Sequence, residues 1–297
     1  MKDGIVLARG WTQPGGRPHA EAVALGAVGG KAPGATLYVS LEPCAHHSER
    51  GPACADLVAQ SGVARVVVGC HDPDPRTAGQ GIARMEQAGI AVDLIDSPAC
   101  RASLAGYLTR RVNGRPHVTL KLALSEDGRL TPGTGKGQWL TGPAARAHVH
   151  AMRAKMDAIL VGRGTFAADA PRLDVRLPGI EDRSPERWLL TSGATPTGWN
   201  AIAEPAGISG IANAQYLMVE GGAHTARAFL DAGLVDRLLL YRAPMTVSGD
   251  GPALPELAPD ALARTGNWTL SDSRTLGSDQ VETYEPFARS SAANQSA

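Results

Sequence analysis

Apolar and polar positions switch period repeatedly along the first third of the chain. GIVLARGW (4–11), ATLYVSLE (35–42), ARVVVGC (64–70) and AVDLI (91–95) read as strands. Between them EAVALGAV (21–28), ACADLVAQ (53–60) and GIARMEQA (81–88) carry apolar residues at helical spacing. Gly62 and Gly89 follow the last two of these helices, where glycine commonly ends a helix. Strands alternating with helices predict a mostly parallel sheet with helices on its faces.

An Ala-, Leu- and Arg-rich stretch then predicts a helix over 99–112, ending at Asn113-Gly114. Beyond it the pattern changes. RPHVTLKLALSEDGRLT (115–131) alternates like a strand and turns at Asp127-Gly128, which places a domain boundary near 112–116. The second part predicts helices over 143–155, with Pro143 in the first turn, and 224–232. Strands are expected at 158–162, 187–191, 215–220 and 237–241. The pattern thus gives an α/β chain with domains at 1–113 and 114–287, and a small, polar, disordered tail at 288–297.

Composition narrows the function classes. Apolar residues make up 43% and charged residues 20% of 297, as in ordinary globular proteins, and the net charge is zero. A protein that neutralises many phosphates needs a basic surface, so nucleic acid is not the expected main partner. No apolar run reaches the ~18 residues of a membrane span. The start, MKDGIVLARGW, has no apolar core of a signal peptide. Four cysteines in so long a chain do not form a disulfide framework. The expectation is a cytoplasmic protein with reduced thiols.

The candidate chemistry lies in His19-Ala20-Glu21, Pro43-Cys44 and Cys54. One imidazole and two thiolates can hold one zinc ion per chain with a position left for water. Their charges cancel that of Zn²⁺. Residues two apart in a helix point about 200° apart, so His19 and Glu21 converge only if His19 stands at the helix start. Cys54 is expected to open a helix, whose positive end favours a thiolate. Glu21 is then placed to move protons, and the His-x-Glu…Pro-Cys…Cys order is that of zinc-dependent deaminases. His46 and His47 are rival ligands by proximity; Cys54 is preferred and the histidines are assigned to substrate contact. Cys70 and Cys100 are read as structural.

Longer segments narrow this further. LEPCAHHSERGPAC (41–54) and GCHDPDPRTAGQGIARMEQAGI (69–90) resemble the deaminase half of the bifunctional riboflavin-biosynthesis deaminase–reductases. KLALSEDG (121–128), QWLTG (138–142), DAILVGRGTFAADAP (157–171) and VEGG (219–222) resemble the reductase half, in the same order. The resemblance implies a cytidine-deaminase-like zinc domain followed by a dihydrofolate-reductase-like domain. It implies deamination of 2,5-diamino-6-ribosylamino-4(3H)-pyrimidinone 5′-phosphate, then reduction of the ribosyl side chain to ribityl by NADPH.

Carried over residue by residue, it makes His19, Cys44 and Cys54 the zinc ligands and Glu21 the proton shuttle. His46 and Arg50 contact the deaminase substrate. In the reductase half, Lys121 and Asp169 are catalytic, and Leu124, Trp139, Thr165, Asp169, Ser192 and Gly222 line the NADPH site. Gly137, Arg153, Leu173, Arg176 and Glu220 face the substrate. Independently of the resemblance, Gly221-Gly222 before a helix suits a phosphate, and Arg153 and Arg176 suit a substrate 5′-phosphate. The expected partners are a small phosphorylated pyrimidine and further copies of the chain in a homo-oligomer, with no nucleic acid and no membrane.

Four departures from the family pattern carry their own expectations. Family members carry a helix and a strand with a PNPxVG segment before the point where Met1–Gly4 aligns, which predicts an open sheet edge and a reduced pyrimidine pocket. One extra residue between Cys44 and Cys54 predicts a bulged loop. Asp74 stands in place of an Asn, and the region 193–214 is shortened by about a strand and a helix. Two alternatives follow: a reductase whose first domain is a zinc-stabilised structural module, and a nucleic-acid deaminase, disfavoured by the charge and by the reductase motifs.

Overall fold

A computed structural model describes residues 1–130, 139–247 and 252–287. Gly137 and the expected tail at 288–297 lie outside the described residues. The chain divides into two compact units, Met1–Asn113 and Gly114–Ala297.

In the first unit, α1 (Ala20–Gly26), β1 (Thr36–Val39), α2 (Cys54–Gln60), β2 (Arg65–Val68), α3 (Gln80–Gln87) and β3 (Ala91–Leu94) alternate, followed by α4 (Pro98–Ser103) and α5 (Ala105–Asn113). The strands form a parallel sheet in the order β1-β2-β3. Val66 and Val68 of the middle strand, Leu25 of α1, Ala55 and Val58 of α2, and Met85 of α3 make its core. The middle strand is an unbroken valine run because helices cover it.

Two expectations need correction here. Residues 4–11 form no strand. Asp3 and Gly4 both take positive φ and turn the chain at a Lys2–Ile5 bridge, away from the β1 edge. The segment runs over α1 instead: a Cβ on Gly10 would stand 2.3 Å from the Ala20 carbonyl oxygen. Without a strand neighbour its alternation buries nothing, and Ile5, Val6, Leu7 and Trp11 are exposed. The helix expected over 99–112 is broken at Leu104, where the Ser103 hydroxyl donates to the Cys100 carbonyl and competes with the helical ladder.

The second unit contains β4 (His117–Ser125), α6 (Pro143–Arg153), β5 (Ala158–Gly162), α7 (Arg163–Asp169), β6 (Glu186–Leu190), β7 (Asn200–Ile202), β8 (Tyr216–Glu220) and α8 (Ala223–Asp231). Then come β9 (Arg237–Ala243), α9 (Pro259–Thr265), β10 (Trp268–Leu276) and β11 (Asp279–Pro286). They build an eight-stranded sheet in the order β10-β11-β9-β4-β8-β5-β6-β7, antiparallel only through β10 and β11. Period-two alternation sends Leu160, Val219 and Leu240 to one face and Ile159, Met218 and Leu239 to the other. Both faces are covered, so the central strands read as continuous apolar runs. Across 193–214 the edge strand β7 and a 3-10 turn at Pro205–Gly210 close the sheet. The sequence reading contained no equivalent of α7, α9, β7 or the β10–β11 hairpin. No helix among the described residues is long and apolar enough to cross a membrane.

Candidate functional site

Three chain segments converge in the first unit. His19 is the N-cap of α1, in extended conformation with ψ 165°, so its ring leaves the helix before regular geometry begins. Glu21, two residues further and in the first turn of α1, is buried. Cys44 lies in the turn after β1, and Cys54 is the first residue of α2. The ligand atoms of His19, Cys44 and Cys54 all lie within 4.8 Å of one another. His19 Nδ1 is 3.5 Å from Cys44 Sγ and 3.4 Å from Cys54 Sγ. Among the described residues this is the one such cluster of His, Cys and carboxylates. The rival histidines stand elsewhere: His46 Nδ1 meets Thr77 Oγ1 at 3.4 Å, and His47 pairs with Asp56 at 3.1 Å.

The electrostatics follow from these contacts. The Cys54 thiol and the Cys54 backbone N–H donate to Cys44 Sγ, and with the His19 ring beside it they pull its thiol far down, to about 3. Cys54, beside that sulfur and buried, is pushed up. His19 is raised by its bond to Cys44, and Glu21 is raised by burial. A carboxyl lifted toward neutrality can both take and give a proton.

The second layer holds residues that the motif reading did not single out. Arg17 donates to Cys44 Sγ at 3.7 Å and to the carbonyls of Pro52 and Gly51 at 3.0 and 3.4 Å. Glu42 is buried and accepts from the backbone N–H groups of Gly79, Gly81 and Ile82, fixing the start of α3. Gly81 must be glycine for space, since a Cβ there would stand 2.1 Å from the Pro43 carbonyl oxygen. Thr77 Oγ1 holds the Ala45 N–H as well as His46. The carboxylate at position 74 is compensated: Arg76 and Arg111 pair with it at 2.6 and 3.3 Å, and the Arg76 bonds push its pKa well below the usual range. The loop between the cysteines carries a Ser48–Gly51 bridge, with Gly51 at φ 140°. Arg50 lies over the 14–16 turn, its guanidinium 3.6 Å from where a Gly15 Cβ would be.

In the second unit β4, α6 and β8 bring together Lys121, Arg153 and Glu220. Arg153 grips the Glu220 carboxylate through two bonds, at 2.8 and 3.0 Å, and Lys121 Nζ stands 3.7 Å away. All three are largely buried, and the two cations outweigh burial, so the Glu220 pKa is lowered. The third Arg153 arm donates to the Asp174 carbonyl, which ties the Leu173–Arg176 loop to the cluster. Leu173 is buried there at φ 55°. Arg153 therefore spends its donors on protein acceptors, and Arg176, half-exposed beside Asp174, is the freer of the two arginines. Lys121 lies over the Tyr241 ring, whose hydroxyl meets His148 Nδ1 at 2.7 Å.

A separate group surrounds the starts of α7 and α8. Thr165 Oγ1 accepts from the Gly222 N–H at 3.2 Å. A Cβ on Gly162 would meet Thr225 Oγ1 at 2.0 Å, so the end of β5 approaches α8 only as glycine. Trp139, Asp169 and Ser192 are exposed, Trp139 with Arg146 over its ring; their contacts do not join them to the Lys121 cluster. Leu124 is wholly buried in the core. An open cleft of about 300 Å³ lies beside Trp139, lined also by Thr141, Met245 and Asp279.

Residues 1–70 match the cytidine and deoxycytidylate deaminase zinc-binding region, and residues 116–199 and 211–281 match the RibD C-terminal domain. The riboflavin biosynthesis protein RibD of Escherichia coli is 35% identical over 94% of this chain and 89% of its own length. The solved structure of Acinetobacter baumannii RibD is 31% identical, with a TM-score of 0.84 over 96% of this chain and 90% of that one. A diaminohydroxyphosphoribosylaminopyrimidine deaminase/5-amino-6-(5-phosphoribosylamino)uracil reductase from Thermotoga maritima, 26% identical, superposes with a TM-score of 0.80 over the same shares. The matched regions span the ligand cluster and the Lys121–Arg153–Glu220 cluster alike, and the chain belongs to the RibD family, the bifunctional deaminase–reductases of riboflavin biosynthesis.

Proposed function

We propose that the first unit hydrolytically deaminates 2,5-diamino-6-ribosylamino-4(3H)-pyrimidinone 5′-phosphate at a zinc ion held by His19, Cys44 and Cys54. The observation that carries this reading is the convergence of one imidazole and two thiols within 4.8 Å, with the buried carboxyl of Glu21 beside them. That donor set fits tetrahedral zinc with one position left open. When bound, the metal supplies Lewis-acid activation of water at neutral pH. Glu21, its pKa lifted by burial, would pass one proton of the attacking water to the ring nitrogen and then the second, from the newly added hydroxyl, to the amine as its C–N bond breaks and ammonia leaves. His46, held by Thr77, and Arg50 face the substrate.

The second unit would then reduce the ribosyl side chain to ribityl, giving 5-amino-6-ribitylamino-uracil 5′-phosphate. NADPH, when bound, supplies the reducing equivalents. The residues fit such a cofactor: Gly221-Gly222 precede α8, and Thr165 fixes the Gly222 N–H at the carboxyl ends of parallel strands, where ligands of open α/β sheets bind. Trp139, Asp169, Ser192 and the Leu124 backbone complete the proposed cofactor side. Glu220, oriented by Arg153, and Lys121 would hold the sugar hydroxyls, with Leu173 and Arg176 toward the phosphate end.

The test is direct. The purified chain should hold about one zinc, release ammonia from the diamino substrate, and oxidise NADPH only with the deaminated product. Absence of both activities in zinc-loaded protein would refute the reading. One observation favours a second possibility, a reductase with a zinc-stabilised structural module: residues 4–11 pair with no strand and expose Ile5, Val6 and Leu7. That reading predicts reductase turnover insensitive to Glu21→Ala, and measurable deamination excludes it.

A further inference from the structure

Three segments carry the proposed zinc ligands, and they come from distant parts of the first unit. Arg17 touches all three. It lies two residues before His19 on the same extended strand of chain. Its guanidinium donates to Cys44 Sγ at 3.7 Å. Its other amine donates to the carbonyls of Pro52 and Gly51, in the loop that enters Cys54. Elsewhere the loop is tied by Thr77 to Ala45 and His46, by Asp56 to His47, and by its own Ser48–Gly51 bridge. The Cys54 N–H also donates to Cys44 Sγ, at 3.3 Å, so this sulfur receives two N–H donors from the protein, one of them cationic.

Physical chemistry gives such an arrangement two effects. A charged donor on a thiolate draws electron density away from the metal and leaves it a stronger Lewis acid. The planar fork also fixes the loop at two carbonyls, which a single ammonium point cannot do while reaching the sulfur. We propose that Arg17 is a positioning residue of the metal centre: its guanidinium withdraws charge from the Cys44 sulfur and pins the loop entering Cys54, setting both the donor strength and the rigidity of the thiolate pair. This rests on the reading that His19, Cys44 and Cys54 hold zinc.

The experiment replaces zinc by Co²⁺ in the full chain and compares wild type with Arg17→Met and Arg17→Lys. The energy of the sulfur-to-cobalt charge-transfer band reports the electron richness of the thiolates, which a purely structural loosening would not move. Arg17→Met should shift that band to lower energy and release zinc to a chelator roughly tenfold faster. Arg17→Lys should release zinc faster than wild type while shifting the band less. If Arg17→Met does not fold, the lysine variant carries the test through its release rate and band together. A band unmoved in every variant that folds overturns the proposal, whatever the release rates. If the wild-type chain binds no stoichiometric Co²⁺ or Zn²⁺, the zinc reading itself fails and Arg17 falls with it. Wild-type binding with unaltered variant spectra removes Arg17 alone.

Discussion

Glu220→Gln tests the central cluster of the reductase unit. The carboxylate is held at 2.8 and 3.0 Å by Arg153, with Lys121 at 3.7 Å, and each side chain is no more than 16% exposed. The amide keeps the shape but removes the only negative charge between two buried cations. Breaking one partner of such a pair costs about 3–5 kcal/mol, because the desolvated charge left behind has no compensation. A domain's whole stability is about 5–15 kcal/mol, so the loss is a large share of it. With a urea dependence of roughly 2 kcal/mol per molar, the unfolding midpoint should fall by about 2 M. Tryptophan fluorescence is the suitable probe, since Trp139, Trp188, Trp199 and Trp268 lie in this unit and only Trp11 in the other. The triple variant Lys121→Met/Arg153→Met/Glu220→Leu should recover most of the stability, since an apolar cluster leaves no buried charge to compensate. It should not recover NADPH oxidation, because the proposed sugar contacts are gone. A Glu220→Gln midpoint within about 0.3 M of wild type, on that same urea dependence, would refute the argument that the cluster is a desolvated ion pair.

Three further outcomes are expected. Glu21→Gln should slow ammonia release by about 10²- to 10⁴-fold while zinc content stays near one per chain; loss of the metal instead would make Glu21 a structural support of the site. His117 is buried and its pKa is pushed down to about 4, so the unfolded chain takes a proton near pH 6.5 that the folded chain refuses; stability should fall by up to about 1.4 kcal/mol per pH unit between those values, and equal pH dependence in His117→Gln would contradict this. Gly81→Ala places a Cβ against the Pro43 carbonyl and should cost about 1–3 kcal/mol and accelerate chelation of zinc; thermal unfolding and zinc retention equal to wild type would show that the turn before Cys44 has room to spare.

What was legible in the sequence was what short-range chemistry dictates. His19, Cys44 and Cys54 announce themselves by donor type and order, and the extended N-cap at His19 follows from the need for it and Glu21 to converge. The buried strands β2, β5 and β8 were plain as unbroken apolar runs. The segment 4–11 misled because alternation signals a half-buried strand only where a neighbour exists, and the turn at Asp3-Gly4 removes it. β10 and β11 were illegible for the opposite reason: much of β10, from Thr269 to Thr275, is polar and exposed, so the hairpin shows little apolar period. Arg17, Glu42 and Thr77 act through contacts 27 to 40 residues away in sequence, and no local pattern marks an arginine that reaches a sulfur. The Arg153–Glu220 grip was foreseen only as two separate substrate contacts; their mutual pairing appears once β8 lies beside α6.

The position of β4 in its sheet bears on how the chain is made. It is the first strand of its unit to leave the ribosome, yet it hydrogen-bonds to β8 and β9, on either side of it. His117 pairs with Tyr216, so this strand waits for roughly 100 further residues, or about 5–20 s of synthesis, before either neighbour exists. Throughout that interval HVTLKLALS presents two unpaired edges with Val118, Leu120, Leu122 and Leu124 uncovered. Such a strand is a template for pairing between nascent chains. Yield during expression should therefore depend on chaperone supply and temperature more steeply than the stability of the finished molecule suggests, because Lys121, the one charge within the strand, stands on the opposite face and leaves that apolar row unbroken.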